Sequence, residues 1–300
     1  MKIDTQSGDD ISEIHFSKYD VAFMGDHIDE RGEAANKFIV GNVDEIITLN
    51  YLPSEFQITI NGDSVQVYDF GDRIPDVSNR NILIDATTIG FVELLILLQT
   101  LFDSGNQNFS ILYVEPASYN KRQRDQLLHY RDFDLSVETL GYEAIPGHAL
   151  TISDNYTQKV IFLCGFEAER MDRVIEDSEI LSKNCKCIFG MPAFKPGWEM
   201  DSFANNINIM KGKGMRRDID FCGATSPFSV YEKLNKTFKG LTDEDQMFVV
   251  PLATKPMSIG ACLFLASTPT DQVAVLYDHP QKRVGRGIGV GKWHLFNISA

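Results

Sequence analysis

Three hundred residues can bury a large core, and they suit one large α/β domain or two smaller ones. An apolar share of 43% and a charged share of 23% are those of an ordinary folded protein. The excess of 42 acidic over 28 basic side chains, a net charge of −14, excludes non-specific coating of duplex nucleic acid, which needs surplus Lys and Arg. It leaves room for a small anionic ligand held in a local cationic pocket.

Residues 1–15 are polar and acidic, and read as a frayed leader without signal-peptide character. Tyr19 to Gly25 (YDVAFMG) predicts a strand, followed by a helix from about Asp29 to Ile39 with Asp26 or Asp29 as its cap. Three strand-like runs come next: Glu45 to Tyr51, Phe56 to Ile60 and Ser64 to Tyr68. Asn61-Gly62-Asp63 between the last two is a strong hairpin signal, because such a turn requires positive φ. Beyond the turn-rich GDRIPDVSNRN, Asn81 to Ala86 predicts a buried strand and Gly90 to Phe102 a helix. Phe109 to Glu115 predicts a strand ended by Pro116, which completes a βαβ unit.

A polar helix containing KRQRDQLLHY is expected next. Further strands are predicted at Lys159 to Leu163, Lys186 to Phe189, Asp220 to Gly223, Met247 to Pro251 and Val273 to Asp278. Helical patterns at Glu167 to Ser182, Ser229 to Phe238 and Pro256 to Ala266 separate several of them. This alternation predicts an α/β fold. A Rossmann-like, doubly wound, largely parallel sheet would occupy residues 76–300, and a small α+β section residues 1–75.

The five cysteines (Cys164, Cys185, Cys187, Cys222, Cys262) sit in apolar strands or helices and read as core thiols. Cys185 and Cys187 share a strand face but lack two further ligands at metal spacing, so no metal and no cofactor is expected. The longest apolar run, Phe91 to Leu101, carries Glu93 and Gln99 and is too short to span a bilayer. A reduced, cytoplasmic protein without a membrane partner is the expectation.

In open α/β sheets, ligands collect beyond the carboxyl ends of the strands. The first such end is Asp85-Ala86-Thr87-Thr88-Ile89-Gly90, where Thr87 and Thr88 can cap a helix and offer hydroxyls to an anion. At the second, Gly165 allows close approach, Glu167 offers a general base or a ribose ligand, and Arg170 supplies charge. A third, Gly190 to Trp198, is a rigid loop of prolines and aromatics suited to stacking or covering a pocket. The fourth brings Thr225 and Ser226. The fifth, within VVPLATKPMSIGACLFLA, sets Thr254 and Lys255 at a strand-to-helix turn, with hydroxyl, cation and free amides in one place. Finally, Asp278 to Lys292 concentrates glycines with Arg283 and Arg286, without Walker or G-x-G-x-x-G spacing. These crossings are expected to converge on one sheet rim as an electropositive cup.

PLATKPMSIGACLFLA resembles the closing strand–turn–helix of CRISPR-associated Rossmann-fold (CARF) sensor domains. Thr254, Lys255 and Met257 match the family's turn, while Ala253 stands where it carries glycine. The resemblance implies a homodimer that binds a cyclic or linear oligoadenylate across two copies of the turn. With no nuclease domain recognisable, output would come from a separate effector protein or from cleavage of the ligand. The leading expectation is therefore a sensor or regulatory subunit in antiviral defence that binds a phosphorylated nucleotide. One alternative is a nucleotide-processing glycosidase, transferase or hydrolase with Glu167 or Asp85 as acid/base. Another is an assembly subunit of a larger complex.

Overall fold

The structure is a computed structural model that describes residues 1–121, 133, 135–139, 141–178, 180–215, 218–268 and 270–299. The chain is a mixed α/β fold with largely parallel central sheets and seven α-helices among the described residues. It forms two compact units, Met1–Asn120 with Arg283–Ala300, and Lys121–Lys282. The helix expected around KRQRDQLLHY lies outside the described residues.

The first unit contains β1 (Lys2–Gly8), β2 (Val21–Met24), β3 (Glu45–Leu52), β4 (Gln57–Ile60), β5 (Asp63–Gln66), β6 (Ile82–Asp85) and β7 (Asn108–Tyr119). Helices α1 (Glu30–Val40), α2 (Phe70–Arg73) and α3 (Phe91–Asp103) lie between them, and β15 (Gly287–Ser299) joins from the end of the chain. The sheet order is β1-β15-β7-β6-β2-β3-β4-β5. Its centre, β3-β2-β6-β7, is parallel. The β4–β5 hairpin closes one edge and the antiparallel pair β15–β1 the other. Strands on either side of residue 75 thus belong to one sheet.

Local chemistry explains several of these elements. Asp29 caps α1 by accepting from the Gly32 N–H. Asn61 and Gly62, at φ 52° and 92°, make the two-residue hairpin turn. Ala35 and Ile39 of α1 pack on Ala22, Leu83, Leu112, Val114, Trp293 and Leu295. The expected leader is instead edge strand β1 followed by a short 3-10 turn at Ile11–Glu13. Its side chains are mostly exposed, so no apolar alternation announces it. Strand β7 runs through Pro116 to Tyr119, where its outer end pairs with the glycine-rich start of β15.

The second unit contains β8 (Ser136–Thr139), β9 (Thr157–Cys164), β10 (Cys185–Gly190), β11 (Ile219–Cys222), β12 (Asp245–Pro251), β13 (Val273–Val275) and β14 (Pro280–Lys282). Its helices are α4 (Ala168–Asp177), α5 (Trp198–Gly212), α6 (Pro227–Phe238) and α7 (Lys255–Ser267). A five-stranded, wholly parallel sheet has the order β11-β10-β9-β12-β13. Strands β8 and β14 pair separately. Met171, Val174 and Ile175 of α4 and Met210 of α5 cover Val160, Phe162, Cys187, Phe189 and Phe248. The alternate residues Ile161, Leu163, Ile188 and Val249 are equally buried, as a sheet covered on both faces requires. Gly260 lets α7 meet α6, since a Cβ there would stand 2.3 Å from the Pro227 carbonyl oxygen. All five cysteines are buried thiols, and burial pushes Cys185 and Cys222 up to about 12.

Candidate functional site

The expected site residues divide between the units. Asp85, Thr87, Thr88, Gly90, Arg283 and Arg286 belong to the first, and Gly165, Glu167, Arg170, Thr225, Ser226, Thr254 and Lys255 to the second. The strand ends expected to share one rim belong to two sheets, because β6 and β12 never enter the same ladder.

In the first unit the polar groups beyond β6 hold the fold together. Asp85 is fully buried and accepts from the Thr87 N–H at 2.9 Å and the Thr88 hydroxyl at 2.6 Å. The Thr88 oxygen accepts from the Gly25 N–H, and the Thr87 oxygen from the Val114 N–H. One carboxylate and two hydroxyls thereby tie the ends of β2 and β6 to the middle of β7. Glu93 sits where a Gly90 side chain would be, and accepts from the Tyr51 N–H on β3.

The glycine-rich segment does meet carboxylates, but they are the protein's own. The Gly289 N–H donates to Glu30 at 2.6 Å, and a Cβ at Gly287 would lie 2.5 Å from the Asp29 carboxylate. Gly285 donates to the Ile28 carbonyl, while Arg283 and Arg286 stand half-buried in the turn before β15. Arg31, which sequence reasoning left out of the site, is 3% exposed and bonds Asp29 at 2.9 Å and the Tyr113 hydroxyl at 3.3 Å. Burial opposes its charge, but the Tyr113, Tyr119 and Asp29 oxygens outweigh it and hold the pKa above the ordinary value. Glu115 and His294 were also missed; they are bonded at 2.7 Å and buried. Their signal, polar residues in otherwise apolar strands, is legible only once β7 and β15 are paired.

In the second unit the strand order reverses between β9 and β12. Gly165 follows β9, and a Cβ on it would lie 1.9 Å from the Leu252 carbonyl oxygen, so the loops after β9 and β12 touch. Ser202 and Asn206 of α5 donate to the Gly165 carbonyl, and Asn205 donates to that of Phe166. Phe166, Trp198 and Phe133 form an aromatic cluster with centroids 4.4 to 5.8 Å apart.

Beyond β12, Thr254 is the N-cap of α7 but makes no side-chain cap bond. Its hydroxyl donates instead to the Ala224 carbonyl at 2.7 Å, which ties this turn to the loop after β11. The first-turn amides of a 13-residue buried helix therefore lack the cap its own side chain could provide, with Lys255 as the first residue. Helix α6 differs, since Ser226 caps it through the Ser229 N–H. Thr225 stands half-buried beside that cap.

Arg170 and Glu167 are held within the unit. The guanidinium bonds Asp278 through two N–H groups, at 2.7 and 2.5 Å, and reaches Glu167 at 3.4 Å. Glu167 also accepts from the Ser136 hydroxyl, and Tyr142 donates to the Arg170 carbonyl. Burial again opposes the charge, and Asp278 and Glu167 outweigh it and raise the Arg170 pKa. No protein-family model matches the chain, and no curated protein sequence matches it.

Proposed function

We propose that the second unit is a doubly wound, Rossmann-like module that holds a phosphorylated nucleotide beyond the carboxyl ends of β9 and β12. The chain would then serve as a sensor or regulatory subunit. The observation that carries this reading is the reversal of strand order beside the first turn of α7, whose N-cap Thr254 turns its hydroxyl to the Ala224 carbonyl. In open α/β sheets ligands collect beyond the carboxyl ends of the strands at such a reversal. Phosphate would meet the α7 amides, the Lys255 ammonium and the Thr225 hydroxyl. The Phe166–Trp198 cluster offers an aromatic face for a base.

Catalysis by Asp85 or Glu167 has less support. Asp85 is sealed by its hydrogen bonds, and Glu167 is engaged by Ser136 and Arg170. The resemblance to CARF sensors supports oligoadenylates as first ligands to try, a homodimer, a cytoplasmic setting in antiviral defence and a separate effector protein. No helix among the described residues is long and apolar enough to cross a membrane.

Calorimetric titration of the chain with cyclic and linear oligoadenylates and mononucleotides tests the reading. Binding by at least one of them, weakened at least about tenfold in Lys255→Ala with an unchanged melting temperature, supports it. Equal affinity in Lys255→Ala counts against it.

A further inference from the structure

The edge of the first unit's sheet carries a second arrangement of reactive groups. Register places Ser7 of β1 opposite His294 of β15, and His294 opposite Tyr113 of β7. Glu115, two residues beyond Tyr113, projects to the same face. The Ser7 hydroxyl lies 2.7 Å from His294 Nδ1, and His294 Nε2 lies 2.7 Å from Glu115 Oε1. His294 and Glu115 are 3% and 5% exposed, whereas Ser7 faces solvent.

We propose that Ser7, His294 and Glu115 form a nucleophilic relay that cleaves a small, uncharged carboxylic ester. It is independent of nucleotide binding in the other unit. A carboxylate only accepts hydrogen bonds, so Glu115 fixes the neutral imidazole with its proton on Nε2 and leaves Nδ1 to accept from Ser7. Tyr113 and Phe296 hold their rings within 16° and 2° of the His294 plane and fix its orientation.

Two neighbouring features define the substrate class. Strand β1 is outermost, so alternate main-chain N–H groups point away from β15 and can receive a developing oxyanion. Asp9, Asp10 and Glu13 beside Ser7 repel anionic substrates, with Glu13 accepting from the Asp9 N–H.

The step balances within these groups. Ser7 Oγ bonds to the ester carbonyl carbon as its proton passes to His294 Nδ1 and the carbonyl electron pair moves onto oxygen. The intermediate collapses, the carbon–alkoxy bond breaks, and the departing alkoxide takes the proton from His294. Water repeats the sequence on the acyl-Ser7 ester, releasing the carboxylic acid and restoring the hydroxyl.

A fluorophosphonate probe with peptide mass spectrometry, applied to the full chain, tests this. Expected are one adduct, on Ser7, and p-nitrophenyl acetate hydrolysis that is lost in Ser7→Ala without a change in melting temperature. His294→Gln should slow labelling at least about a hundredfold. Glu115→Gln should slow it at least about tenfold, and carries the comparison if His294→Gln does not fold. No adduct on Ser7, or one formed equally fast in these variants, overturns the proposal.

Discussion

Replacing Asp278 with Ala takes both acceptor oxygens from a guanidinium that is 8% exposed, while Asp278 itself is wholly buried. Removing one partner of a buried ion pair costs roughly 3–5 kcal/mol, because the remaining charge keeps its desolvation penalty without its compensation. Glu167 still reaches Arg170 at 3.4 Å, so the expected loss lies at the lower end, about 3 kcal/mol. For a unit the size of Lys121–Lys282, that lowers the melting temperature by about 6–12 °C. Thermal and urea unfolding followed by circular dichroism reads the effect. Adding Arg170→Met to Asp278→Leu removes both charges and should recover most of the loss. Because the Arg170 fork faces Asp278, that double variant should also keep any nucleotide affinity. A loss below about 1 kcal/mol in Asp278→Ala, or a double variant no better than the single, refutes the reasoning.

Other perturbations probe other parts of the fold. Gly165→Ala puts a Cβ where the Leu252 carbonyl stands and should cost about 3 kcal/mol or more in urea unfolding; a near-native midpoint would show the loops are not in contact. Thr88→Val strands buried Asp85 and the Gly25 N–H and should destabilise the first unit by roughly 2–4 kcal/mol, whereas loss of ligand affinity alone would return Thr88 to the binding residues. Burial lowers His148 to about 4, so on acidification the unfolded chain takes up its proton first, from about pH 6.5. Its stabilising contribution is complete above that pH and declines towards pH 4 by about 3 kcal/mol, and His148→Gln should flatten the decline in unfolding titrations.

Much of the second unit is legible in the sequence for a physical reason. Strands of a covered parallel sheet are buried on both faces, so VIFLC, CIFG and MFVVP read as unbroken apolar runs. The strand order, which sets β9 beside β12, is not written in any local pattern. Helix α5 escapes because Asn205, Asn206 and Asn208 are weak helix formers; two of them are there to bond the carbonyls after β9. Strands β1 and β15 escape because they pair across nearly the whole chain. Thr87 and Thr88 look like anion donors in sequence, yet their hydroxyls serve Val114, Asp85 and Gly25. Sequence displays a hydroxyl but not the partner that uses it.

Hydrogen exchange of the full chain, with and without an oligoadenylate or mononucleotide that binds in calorimetry, tests the central reading most directly. Slowed exchange is expected in residues 252–258 and in the loops after β9 and β11, with the slowing lost in Lys255→Ala. Protection elsewhere, with 252–258 unchanged, would contradict it.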